Sequence, residues 1–106
     1  MEQMEQQVLS AADLTVDLSS QMVKRGGREI FLTAREYALL ELLLRHKGQV
    51  LSRDQIETAL WDADYEGGTN IVAVYINYLR EKIDSGSEQK LIQTVRGSGY
   101  VLLEEP

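Results

Sequence analysis

The stretch from Thr69 to Leu103 constrains this chain more than any other, because its apolar period changes once, from helical to extended. Val72, Ile76, Leu79 and Ile83 line one apolar stripe down a helix of about four turns. The opposite face carries Asn70, Val74, Asn77, Tyr78 and Glu81, with Ala73 and Arg80 on one flank and Tyr75 on the other. A helix divided in this way docks its stripe on a core and offers its other face to a polar surface. After Ser85-Gly86-Ser87, two β-rich runs, residues 91–95 and 100–103, flank Arg96-Gly97-Ser98-Gly99. They read as a hairpin that holds Arg96 near its tip.

The residues upstream supply the core for that stripe. Leu14, Val16 and Leu18 alternate with polar residues, Ser19-Ser20-Gln21 turns, residues 22–25 form a second strand, and Gly26-Gly27 leads to a third over 28–32 with Ile30 and Leu32 inward. Lys24, Arg25 and Arg28 are expected on a solvated strand edge. Thr33 and Glu36 form a capping box, since hydroxyl and carboxylate each accept a backbone N–H of the other's end. The helix that follows is apolar over Leu39, Leu40, Leu42, Leu43 and Leu44, and its last turn carries Arg45, His46 and Lys47 before Gly48, where cations suit the helix dipole. Ser52 and Gln55 open a second capped helix with Ile56, Ala59 and Leu60 inward. Two capped helices separated by the tight connection over residues 48–51, followed by the helix from Asn70, make a three-helix unit of the helix-turn-helix kind. The link from Trp61 to Gly68 is long for such a unit and acidic.

Composition excludes several classes. The chain has no cysteine, so disulfides and thiolate metal sites are impossible, and its single histidine, His46, has no partner at metal or triad spacing. No cofactor or metal site is expected. No apolar run approaches the ~20 residues that span a bilayer, and the Glu/Gln-rich start is unlike a signal peptide; the chain is expected to be soluble and cytoplasmic, with no membrane partner. An enzyme finds no support, because Ser52 serves as a cap and no phosphate-cradling glycine loop precedes a helix. Net charge is −6, against the basic excess usual in nucleic-acid binders. The charge is unevenly spread, however. Residues 1–68 hold seven basic and twelve acidic groups, whereas residues 69–103 hold Arg80, Lys82, Lys90 and Arg96 against Glu81, Asp84 and Glu88.

Val72-x-Val74-Tyr75-Ile76-x-Tyr78-Leu79-Arg80-x-Lys82-Ile83, followed by Gln93-Thr94-Val95-Arg96-Gly97-Ser98-Gly99-Tyr100, resembles the recognition helix and wing of OmpR/PhoB-type response-regulator effector domains. Leu32-Thr33-x-x-Glu36-Tyr37-x-Leu39-Leu40 and Val50-Leu51-Ser52-Arg53 match as well, so the resemblance covers roughly residues 14–103. It implies an α/β winged helix-turn-helix: an N-terminal antiparallel β-sheet, three helices and a C-terminal β-hairpin wing. One domain over residues 13–104 is expected, led by a disordered segment 1–12. The resemblance makes that segment the remnant of a linker to a missing N-terminal receiver domain, and it implies sequence-specific binding of double-stranded DNA in a two-component system. Tandem half-sites, a homodimer formed on DNA and contact with RNA polymerase through Asp62, Asp64, Tyr65 and Glu66 are further implications. Members commonly carry arginine where this chain has Asn77 and Glu81, and aspartate where it has Ala73.

The candidate DNA-binding residues are Asn70, Val74, Tyr75, Asn77, Tyr78, Arg80, Thr94 and Arg96. An outward Asn77 can pair bidentately with adenine N6 and N7. Tyr75 and Tyr78 either meet phosphate and base or pack against the helix. Arg80, beside the core stripe, suits a phosphate rather than a base edge, and Arg96 suits a narrow, electronegative minor groove. Each has a plainer alternative: a surface amide, packed rings, a solvated acidic loop anchored by Trp61. A rival from another class is a winged helix that binds protein and has little affinity for DNA, which the −6 balance and Glu81 favour.

Overall fold

A computed structural model describes residues 7–61 and 70–104. Four strands, β1 (Val8–Ala11), β2 (Leu14–Asp17), β3 (Met22–Arg25) and β4 (Arg28–Ile30), form an antiparallel meander in chain order. Three helices follow, α1 (Ala34–Arg45), α2 (Arg53–Leu60) and α3 (Ile71–Ile83), then the hairpin of β5 (Ile92–Val95) and β6 (Gly99–Leu102). This is the expected winged architecture.

Local chemistry explains most boundaries. Gly26 and Gly27 both take positive φ in the two-residue turn that pairs Arg25 with Arg28. Both capping boxes form: Thr33 Oγ1 accepts from the Glu36 N–H while Glu36 accepts from the Thr33 N–H, and Ser52 and Gln55 repeat the pattern. Helix α3 has no such cap, since Asn70 stands at its N-cap without a side-chain bond. Its β-branched Ile71, Val72, Val74, Ile76 and Ile83 are also indifferent helix formers. Packing therefore makes this helix. Val72, Ile76, Leu79 and Ile83 are all fully buried, worth roughly 1.5–3 kcal/mol apiece, against a few tenths per residue of propensity. They meet Leu39, Leu40 and Leu43 of α1 and the inward Leu14, Val16, Val23 and Ile30 of the sheet in one core.

Three expectations need correction. Val8–Ala11 lies in the stretch expected to be a disordered lead, yet it pairs with β2 from Val8 opposite Asp17 to Ala11 opposite Leu14. Leu9 packs on the core and Ala11 is fully buried, which supplies the apolar alternation a strand requires, and Lys47 Nζ donates to the Ser10 carbonyl on its outer side. Ala59 is exposed rather than inward, because α2 has two turns and turns only Ile56 and Leu60 toward α1. Arg25 is buried at 3% exposure, not set on a solvated edge, while Lys24 and Arg28 are exposed. Its guanidinium is sheltered because four acceptors surround it.

Candidate nucleic-acid interface

The outward face of α3 presents Val74, Asn77, Tyr78 and Glu81 to solvent, with Val74 36% and Tyr78 47% exposed. Asn70, at the head of the helix, is exposed too. Tyr75 is half-buried and belongs to a ladder of rings. It meets Trp61 edge-on at 5.5 Å between centroids and Tyr78 at 5.4 Å, and the Arg35 guanidinium covers Trp61 at 5.0 Å. Arg35 also donates to the Leu60 carbonyl. Tyr75 thus joins α3 to the end of α2, and Tyr78 is braced on it with its own ring open to solvent.

Arg80 stands between helix and wing. Its Nε donates to the Ile92 carbonyl at 3.2 Å, Nη2 to the Thr94 hydroxyl, and Nη1 to Asn77 Oδ1 at 3.5 Å, with the Tyr100 ring 6.0 Å away. A guanidinium has five N–H groups, so two remain for an incoming acceptor. The other cations of this region are engaged in internal contacts. Lys82 is 2.6 Å from the buried Glu36 carboxylate on α1, and Lys90 donates to the carbonyls of Asp84 and Ser87. Burial works against charge on Glu36, but the Lys82 ammonium and the Thr33 N–H outweigh it and hold its carboxyl below the ordinary 4.5. Arg96, by contrast, is exposed and makes no ion pair or hydrogen bond among the described residues.

The wing holds Arg96 rigidly. Val95 opposes Gly99, Gly97 takes a φ of +78°, and the Ser98 N–H closes on the Val95 carbonyl at 2.9 Å. Leu51, between α1 and α2, exchanges two hydrogen bonds of 2.8 and 2.9 Å with Tyr100. A Cβ on Gly99 would overlap the Leu51 carbonyl, so that glycine is required by close approach. The same bridge brings Ser52, Arg53 and Asp54, at the start of α2, to line one depression with Thr94, Val95 and residues 97–100. Arg53 was not among the sequence-predicted site residues. Its only local sign is a cation in a first helical turn, where the dipole disfavours it by about 0.3–1 kcal/mol. Asp62, Asp64, Tyr65 and Glu66 lie outside the described residues.

Val74, Asn77 and Tyr78 thus share the outward face of α3, Arg80 ties Asn77 to Thr94 of the wing, Arg96 stands exposed two residues beyond Thr94, and Arg53 lines a depression with Thr94. A family described as transcriptional regulatory protein, C terminal, matches residues 27–102. The chain belongs to this family. Its members share the OmpR/PhoB-type DNA-binding domain expected from the helix and wing motifs. The transcriptional regulatory protein CusR of Escherichia coli (strain K12) is 52% identical over 91 residues, 86% of this chain and 40% of that protein. PcoR of Escherichia coli, also a transcriptional regulatory protein, is 48% identical over 95 residues, 90% of this chain and 42% of its own length. The chain spans about two fifths of the curated relatives it matches. Among solved structures, the Klebsiella pneumoniae RstA DNA-binding domain in complex with the RstA box superposes with a TM-score of 0.81 at 30% identity, covering 92% of this chain and 98% of that one. The family is one of transcription-regulator domains, not of enzymes. No helix among the described residues is long and apolar enough to cross a membrane.

Proposed function

We propose that this domain reads double-stranded DNA with α3 in the major groove and the wing on the backbone or in the minor groove. The observation that carries the reading is the open face of α3, with Val74, Asn77 and Tyr78 exposed, tied through Arg80 to the wing that carries the exposed Arg96. A B-form major groove, about 12 Å wide, admits one helix face of this kind. Asn77 suits adenine, Val74 suits a thymine methyl, and Tyr78 suits phosphate or base edge, with Asn70 and Tyr75 at the margin. Arg80 meets a phosphate with its two remaining N–H groups while still gripping Thr94. Arg53 neutralises a second phosphate from the start of α2.

The same family setting supports the wider reading. The domain is the effector half of a cytoplasmic two-component response regulator, controlled by an N-terminal receiver; two copies bind tandem half-sites as a dimer formed on DNA. The acidic segment with Asp62, Asp64, Tyr65 and Glu66 contacts RNA polymerase. A second reading, docking to a protein partner with little DNA affinity, is favoured by the −6 balance and by Glu81 on the open face. Charge reversal separates the two. Arg96→Glu is expected to abolish binding to a duplex enriched by the wild-type chain from a randomised pool; unchanged binding or unchanged regulation would leave the protein-docking reading standing.

A further inference from the structure

The buried Arg25 lies on the sheet, far in sequence from the reading surface, yet its contacts converge on the point where α3 hands over to the wing. Its Nε donates to Asp13 Oδ1 at 2.6 Å, Nη1 to the Ile83 carbonyl at 2.8 Å and to Asp84 Oδ1 at 2.9 Å, and Nη2 to the Gln89 carbonyl at 2.6 Å. Asp84, the C-cap of α3 and itself 4% exposed, accepts in turn from the N–H groups of Leu91 and Ile92 at 3.1 Å each. Arg80 completes the grip, so that the carbonyl of Ile92 is held by a side chain of α3 and its N–H by the C-cap of that helix. The first residue of the wing is thus fixed to the recognition helix at both its polar groups.

We propose that Arg25 and Asp84 are positioning residues of the reading surface, setting the angle at which the wing leaves the helix and hence where Arg96 lands. The proposal rests on the reading of Arg96 as a DNA contact. Stability alone does not explain the pair, because a buried ion pair is often matched by apolar residues of similar volume, whereas fixing two backbone N–H groups in one direction needs a carboxylate. Arg96 lies four residues beyond Ile92, about 13 Å along an extended strand. A rotation of about 10° at the hinge then moves the tip by about 2 Å, enough to break a hydrogen bond that tolerates only a few tenths of an ångström. The Leu51–Tyr100 bridge holds the other strand and Arg80 holds the Ile92 carbonyl and Thr94 hydroxyl, so loss of Asp84 frees the Leu91 and Ile92 N–H groups and loosens the base of the wing between those two holds.

A double-mutant cycle on the whole chain tests this, with the duplex enriched by wild type as probe. Arg96→Ala is expected to weaken binding about tenfold in the wild-type background but only about twofold in Asp84→Asn, with amide exchange raised over residues 92–98 and unchanged in α1. Arg25→Lys, which keeps the charge but cannot span the same acceptors, is expected to give the same pattern in smaller measure and serves if Asp84→Asn does not fold. Equal losses from Arg96→Ala in both backgrounds, or wing exchange that does not change, would overturn the proposal. An Arg96→Ala with wild-type affinity would remove the contact to be positioned and sink the wing reading with it, an outcome distinct from equal losses.

Discussion

The body of the domain and its reading surface are held together by different physics. Sheet, α1 and the inner stripe of α3 are joined by fully buried aliphatic side chains such as Leu14, Leu40 and Ile76. The junction of α3 with the wing is joined by directed polar contacts: Asp84 to two amides, Arg80 to Ile92 and Thr94, Arg25 to four acceptors. Apolar burial tolerates small shifts and fixes which faces meet; hydrogen bonds to a strand's backbone fix direction. On the proposed reading, the direction of the wing relative to α3 is set by a few polar side chains behind the surface.

The sharpest way to break that contrast is Arg25→Met, which strands the buried Asp84 carboxylate and is expected to cost about 3–5 kcal/mol in denaturant unfolding. Pairing it with Asp84→Leu removes the stranded charge but orphans the Leu91 and Ile92 N–H groups, so it should recover only part of the stability and leave specific binding impaired. Recovery of both would place the junction in the same class as the core. Gly99→Ala comes next, at about 1–3 kcal/mol, because the new methyl meets the Leu51 carbonyl; amide exchange should rise in β6 before it rises in α1. Thr33→Ala removes one cap from α1 and should cost about 1 kcal/mol, read in thermal melts, with affinity for DNA unchanged.

The smallest effect is expected from acid. Glu36 has its folded pKa below the ordinary 4.5, so its stabilisation is present above that value and is lost as pH falls through the folded one. Melting temperatures of wild type and Glu36→Gln should therefore converge as pH drops from about 6 to about 3. A constant gap would assign the loss in Glu36→Gln to the cap alone.

What was legible in the sequence was local. The stripe Val72, Ile76, Leu79 and Ile83 repeats within one helix, and each capping box spans four residues, so period and spacing suffice. Strand β1 was hidden because its alternation has only Leu9 and Ala11 to show, behind a Glu/Gln-rich lead. Arg25 looked like any strand-edge cation, since its partners Asp13, Asp84 and Gln89 lie 12 to 64 positions away. Arg53 joins the surface only through the Leu51–Tyr100 bridge, a contact no period announces. The apolar pattern that sets Ala59 inward is too short to define a face in a helix of eight residues.

A chain of net charge −6 is expected to bind DNA through one locally favourable surface. Fluorescence anisotropy of the wild-type domain against pooled promoter duplexes, at two salt concentrations, tests it most directly. Binding to a subset of duplexes, weakened by salt and reduced about tenfold by Arg96→Ala, is the result expected. Absence of binding at low salt, even near 10⁻⁴ M, roughly where ordinary non-specific association begins, would contradict it and assign the surface to a protein partner.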